Sequence, residues 1–199
     1  NEIESFDLQF EFLTELNLIG NNLKQMAPLT NFPNLKLLNI SNNCLQHFPA
    51  FSETIENIDA SYNQIIDIDE SIINAKKLTT LTANSNKIRH LPLLPPNLTK
   101  LHVEDNEIET IEPSVLNNIL EFAINKNKLS EIPNSFQGKF PKSHVLLNCN
   151  RYSTFDLSFF IKTIGEINLS LCNLTEFPST TFELPNLSFH NLIVPQSHQ

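Results

Sequence analysis

Glycine is scarce, with three residues in 199, and the three lie far apart at Gly20, Gly138 and Gly165. A phosphate-cradling glycine-rich loop is thereby excluded. Tryptophan is absent and Met26 is the only methionine. No unbroken apolar stretch approaches the roughly 20 residues a membrane-spanning helix needs, so no membrane span is expected. Positive charge is also short: 13 Lys and Arg stand against 22 Asp and Glu, a formal net charge of -9. A surface of that sign repels phosphate backbones, which argues against nucleic acid and anionic membranes as partners. The chain begins at Asn1 without a recognisable secretion signal, and reads as a mature form or a fragment of something longer.

The three cysteines, Cys44, Cys149 and Cys172, form no CxxC pair and no cluster. An odd number so widely spread argues against a disulfide framework and for a reducing compartment. Against these shortages stand 40% hydrophobic residues, enough for a globular core, and 27 asparagines. Such a surplus of one polar residue asks for a structural cause.

The cause is a repeat. A template of apolar, two any, apolar, any, apolar, two any, Asn, any, apolar fits Leu13 to Leu23, Leu35 to Leu45, Ile55 to Ile65, Leu78 to Ile88, Leu98 to Ile108 and Ile119 to Leu129. A seventh copy runs from Lys142 to Tyr152, an eighth from Ile164 to Leu174, and a ninth decays after Leu184. First positions are 20 to 23 residues apart, and three residues beyond the template each of the first eight copies carries another apolar side chain, beginning with Met26, Phe48 and Ile68. The apolar-any-apolar centre has the period of a strand with two residues facing in and one facing out. One strand per repeat stacks into a parallel sheet. Where the chain then bends inward, backbone groups lose water and need partners, which an asparagine amide can supply. A buried ladder of Asn21, Asn43, Asn63, Asn86, Asn106, Asn127 and Asn150 is expected, with Cys172 as a small substitute in the eighth rung.

These positions resemble the leucine-rich-repeat family from Leu13 to Phe189. The resemblance implies an α/β right-handed solenoid with a parallel sheet on its concave side and mostly extended or short helical segments on its convex side. The stretch Leu91-Pro92-Leu93-Leu94-Pro95-Pro96-Asn97-Leu98, with Phe48-Pro49 and Phe177-Pro178, is similar to the short bacterial repeat of translocated effectors and of the recognition domains of bacterial ubiquitin ligases. Proline suits such an outer side because it fixes an extended backbone and needs no amide partner. Asp69 to Lys77 and Asp156 to Thr163 have room for a short helical turn instead. Residues 1–12 read as a cap or partial repeat in extended form, residues 13–194 as the solenoid of eight to nine repeats, and residues 195–199 as a tail. An open solenoid exposes core at its ends, so a cap is physically required.

A catalytic or metal centre is not expected. No two of the six histidines stand three or four residues apart, as paired ligands on a helix would. His47 and His90 fall at one solvent-facing template position. Glu104, Asp105, Glu107, Glu109 and Glu112 scatter over edge and loop positions, where a solvated acidic rim is expected rather than an acid and base pair with divergent environments. The ligase resemblance implies a catalytic Cys two residues before an Asp, but Gln46, Arg151 and Leu174 occupy those places, so such chemistry would lie outside this chain. Asn-x-Ser/Thr triplets at Asn39, Asn97, Asn168, Asn173 and Asn186 read as by-products of asparagine richness, not as glycosylation sites.

What remains is a surface. The outward strand positions are mostly Ser, Thr and Asn, a smooth floor on which a partner can lie. Two groups stand out there: Ile19, Leu37 and Tyr62 near the first repeats, and Lys100, His102, Lys126 and His144 beside Glu104 in the middle. The expectation is a non-enzymatic module that binds a protein through this face without cofactor or metal. The family likeness implies a secreted bacterial effector with a host protein as partner in the host cytosol. Its alternatives are the substrate-recognition part of a ubiquitin ligase and an extracellular receptor ectodomain.

Overall fold

The computed structural model describes residues 2–112, 118–131, 143–146, 150–151 and 164–168, with the backbone alone for 143–146 and 164–168. The strands β1 (Ser5–Phe6), β2 (Glu15–Asn17), β3 (Gln25–Met26), β4 (Leu37–Asn39), β5 (Asn57–Asp59), β6 (Thr80–Thr82), β7 (Lys100–His102), β8 (Glu121–Ala123), β9 (Ser143–Leu146) and β10 (Ile164–Asn168) follow in chain order. Eight of them form one parallel sheet in the order β2-β4-β5-β6-β7-β8-β9-β10, and β1 and β3 form a separate parallel pair. The register is in step with the template: Leu16 faces Leu38, then Ile58, Leu81, Leu101 and Phe122 in successive strands. The fold is thus a parallel β-solenoid, one template copy per coil. Among the described residues its helices are two short 3-10 turns, Leu29–Asn31 and Glu70–Asn74.

Each strand is short because the chain leaves it by a fixed bend. Gly20, Asn42, Tyr62, Ser85, Asp105 and Lys126, each immediately before a ladder asparagine, all have a left-handed backbone with φ between 52° and 67°. Glycine and asparagine tolerate that conformation, whereas tyrosine and lysine adopt it at a cost. Inward template positions then stack in rows. Leu35, Ile55, Leu78 and Leu98 are fully buried at the first position, as are Ile65, Ile88 and Ile108 at the last. The row three residues farther on holds Phe48, Ile68, Leu91 and Ile111, each 4 to 7% exposed. Leu13 and Leu16 pack only partly against the core.

The ladder is present and explains the asparagines that form it. In each rung the Oδ1 accepts the N–H two places beyond the preceding ladder position: Leu23 to Asn43 (3.0 Å), Leu45 to Asn63 (2.9 Å), Ile65 to Asn86 (3.0 Å), Ile88 to Asn106 (3.0 Å), Ile108 to Asn127 (2.9 Å) and Leu129 to Asn150 (3.0 Å). The Nδ2 reaches back as well, so one carbonyl serves two rungs. Ala83 O takes both Asn86 and Asn106, and Val103 O takes both Asn106 and Asn127. Asn21 donates to Leu18 O (2.9 Å), but its buried Oδ1 has no partner. Cys172 lies outside the described residues.

The outer side varies with spacer length, as the sequence leads one to expect. Asp69 caps the second 3-10 turn by accepting from Ser71 N at 2.8 Å, within the segment expected to be helical. The Pro-rich stretch from Leu91 to Leu98 has no helix. Asp156 to Thr163 lies outside the described residues. Residues 2–12 hold no helix, with a strand at Ser5–Phe6 and a bend at residues 11–12. Asn22 N donates to Ile3 O (3.1 Å) just as Cys44 N donates to Leu23 O (2.9 Å), so this segment lies against the first full repeat as the outer half of another. Phe6 and Phe10 stack over the buried Phe32, with ring centroids 6.1 and 6.4 Å away.

A candidate recognition face

The parallel register lines up the outward side chains of the large sheet in rows that cross the strands about 4.8 Å apart. The first row reads Glu15, Leu37, Asn57, Thr80, Lys100 and Glu121, and the second reads Asn17, Asn39, Asp59, Thr82, His102 and Ala123. A groove of about 280 Å³ crosses β2, β4, β5 and β6 over these rows, lined by Glu15, Asn17, Leu37, Asn39, Asn57, Asp59, Thr80 and Thr82 among others. Leu37 is 38% exposed, Ile19 49% and Tyr62 59%. All three residues of the first expected group are thus exposed, Leu37 in the lining of the groove and Ile19 and Tyr62 beyond the ends of β2 and β5.

The floor of the face is more tightly bonded than its composition suggests. Asn17, Asn39 and Asp59 turn their Oδ1 back onto the backbone N–H two residues on, at 3.1, 3.0 and 3.0 Å. Such turns let short polar side chains replace a strand partner where the sheet ends. Ser41 and Ser61 are buried: Ser41 Oγ donates to Asn39 Oδ1 (2.7 Å), and Ser61 Oγ accepts from Asn84 N (3.2 Å).

The second group is brought together by one carboxylate. Glu121 takes the Lys100 ammonium at 3.1 Å and the His102 ring Nε2 at 2.8 Å. The Lys100 hydrogen bond, aided by His102, holds the Glu121 carboxyl below the usual carboxylate range against a smaller opposing effect of burial. Lys100 and His102 are therefore both partners of Glu121. Glu104 lies at the next outward position and accepts from Asn84 Nδ2 at 3.1 Å. Lys126 sits in the left-handed bend after β8 and is exposed. His144 lies in β9, opposite Glu166 of β10; no side-chain position is described for it. Of the acidic rim, Glu107 bridges Lys128 (2.9 Å) and Arg89 (3.6 Å), and Lys128 above all draws its carboxyl below the ordinary range. His47 is exposed beside Asp67, 3.1 Å away. Among the described residues no three His, Cys, Asp or Glu side chains are grouped as a metal site, and no helix is long and apolar enough to cross a membrane.

One structural set has no counterpart in the template. Asn34, Asn97 and Asn118 stand immediately before its first apolar position, and each Nδ2 donates to a carbonyl of the preceding coil: Glu11 O (2.7 Å), Lys76 O (2.6 Å) and Pro96 O (2.8 Å). The signal was available as Pro33-Asn34-Leu35 and Pro96-Asn97-Leu98 at matching places.

With this geometry in view, solved structures decide the architecture. A functional domain of InlJ from Listeria monocytogenes, described as including a cysteine ladder, superimposes with a TM-score of 0.74 over 89% of this chain at 22% identity. The Leptospira interrogans leucine-rich-repeat protein LIC12759 does so with a TM-score of 0.75 over 89% of the chain at 25% identity. The fold is a leucine-rich-repeat solenoid. The chain spans 38% and 48% of those two proteins. Two curated relatives from Gallus gallus, Toll-like receptor 2 type-2 and type-1, are each 39% identical over 71 residues, which is 33% of this chain and 9% of the receptor. No family model matches the sequence. These likenesses support a leucine-rich-repeat family without specifying a subtype within it.

Proposed function

We propose that this chain is a protein-recognition module that holds its partner on the concave face of the β2 to β10 sheet. The observation that carries this reading is the groove over β2 to β6, with Leu37 exposed in its lining and Ile19 and Tyr62 exposed beyond the ends of β2 and β5. A solenoid presents such a face as a rigid platform, because every rung is tied to the next. Partner contacts are assigned to Ile19, Leu37 and Tyr62 at one end and to Lys100, His102, Glu104, Lys126 and His144 farther along. The leucine-rich-repeat fold and an exposed tyrosine, a residue type favoured at interface hot spots, support the assignment. With a partner isolated on the immobilised chain, Leu37→Asp and the double change Lys100→Glu with Lys126→Glu should each weaken binding. Lys76→Glu, on the outer side, should not. Equal binding by all three would remove the concave face from consideration.

For the setting, we favour a secreted bacterial effector acting on a host protein, supported by likeness to the Listeria and Leptospira proteins. A receptor ectodomain is the second reading, supported by the 39% match to the two chicken Toll-like receptors. Mass spectrometry of the protein from its native source separates them. Glycans on Asn39 or Asn97 would favour the receptor, and unmodified peptides at both sites would favour the effector.

A further inference from the structure

The cations of this chain are unevenly matched. Lys24 is paired with Glu4 (3.0 Å), Lys36 with Glu56 (3.4 Å), Arg89 and Lys128 with Glu107, and Lys100 with Glu121. The outward positions of β2, β4, β5 and β6 contain no Lys or Arg at all. Two carboxylates stand there. Glu15 is exposed, and Asp59 uses Oδ1 for the Ser61 N–H; among the described residues neither is ion-paired. Both line the 280 Å³ groove, with Leu37 on the strand between them.

We propose that this groove takes an extended, cationic polypeptide segment in which two Lys or Arg side chains flank an apolar one. The inference rests on the recognition reading above and names the chemistry of the partner. Glu15 and Asp59 lie two strand spacings apart across the sheet and two residues apart along it, so they are on the order of 12 Å from each other. Side chains on one face of an extended chain recur about every 6.8 Å. Residues i and i+4 of such a segment, about 13 to 14 Å apart, therefore reach the two carboxylates, and residue i+2 falls over β4 between Leu37 and Asn39, within reach of the Leu37 side chain. The flexible stems of Lys and Arg absorb the small mismatch. An anionic segment would meet both carboxylates and the net charge of -9, which orients encounter against it. A second copy of this chain carries the same charge and is disfavoured for that reason.

The test is a titration of the full 15N-labelled chain at low ionic strength with the acetylated, amidated peptide Ser-Lys-Ser-Leu-Ser-Lys-Ser, beside its counterpart with Glu in place of Lys. The lysine peptide should shift amides of β2, β4 and β5. The double variant Glu15→Gln with Asp59→Asn should weaken it about fivefold, as two exposed ion pairs warrant. Leu37→Ser should weaken it as well, and Glu70→Gln on the outer 3-10 turn should leave it unchanged. Unaltered amide dispersion in each variant establishes that the fold survives. Equal shifts by the glutamate peptide at this groove, or no loss in the double variant, overturn the charge assignment while leaving the concave face as the recognition surface. Shifts confined to the outer side overturn both. Concentration-dependent shifts of β2 to β5 amides without peptide would assign the groove to a second copy and overturn the proposal.

Discussion

Asn86 illustrates how much one side chain does in this molecule. Its Oδ1 takes the Ile65 N–H, and its Nδ2 donates to Ala60 O, Ala83 O and Asn84 O. Truncation leaves a buried N–H and buried carbonyl capacity unmet, so Asn86→Ala should cost about 1 to 3 kcal/mol in urea unfolding. Asn21→Ala is the internal comparison, because Asn21 Oδ1 has no donor to lose. A smaller loss is expected there, and equal losses would mean that the cost comes from something other than the cross-coil bonds. Tyr62 makes the opposite point. It holds φ 55° with a side chain 59% exposed, so its backbone is strained without compensating burial. Tyr62→Asn should stabilise the isolated chain by about 1 kcal/mol while weakening partner binding. A fall in the unfolding midpoint would show that the ring is needed for the fold rather than for recognition.

At the scale of strands, neighbouring repeats share charges as they share hydrogen bonds. Lys100 of β7 and Glu121 of β8 are register partners and are bonded at 3.1 Å. The Glu121 pKa is held below its ordinary value near 4.5, chiefly by Lys100. A depressed carboxyl pKa means the unfolded chain binds the proton more readily. The pairing therefore stabilises the fold above the unfolded value of about 4.5, and this contribution is lost as pH falls through the lower folded value. Lys100→Met should raise the Glu121 pKa toward its ordinary value in a carboxyl-resolved NMR titration; an unchanged pKa would deny the lysine its role. The pairing could have been read by aligning repeats, since Lys100 and Glu121 stand one repeat apart. Inward positions were legible because burial imposes a strict period, so Leu38, Ile58 and Leu81 follow from spacing alone. The backward turns of Asn17, Asn39 and Asp59 were not, because a side-chain oxygen bonding its own loop leaves no mark on the apolar pattern.

Over the whole solenoid, coupling is short-ranged by construction. Each rung shares a carbonyl with the next, as Asn86 and Asn106 share Ala83 O, whereas Asn43 and Asn106 share none. The core rows likewise place each leucine or isoleucine against its counterpart one coil away, so energy passes between neighbours and not across the length. Double substitution tests this directly. Asn43→Ala with Asn106→Ala should cost the sum of the two single losses to within about 0.5 kcal/mol, because the sites are independent. Asn86→Ala with Asn106→Ala should depart from the sum by more than that, since the first change already disturbs the Ala83 carbonyl and the coil that the second would loosen. Urea unfolding of the three single variants and the two doubles measures both. If the distant pair were as strongly coupled as the adjacent one, the sheet would behave as a single rigid plate, and local substitutions on the concave face would be expected to alter recognition several repeats away. Additivity at distance instead means that the groove over β2 to β6 and the Lys100, His102 and Glu121 group can be altered independently. That independence is what the binding variants at the two ends of the face rely on.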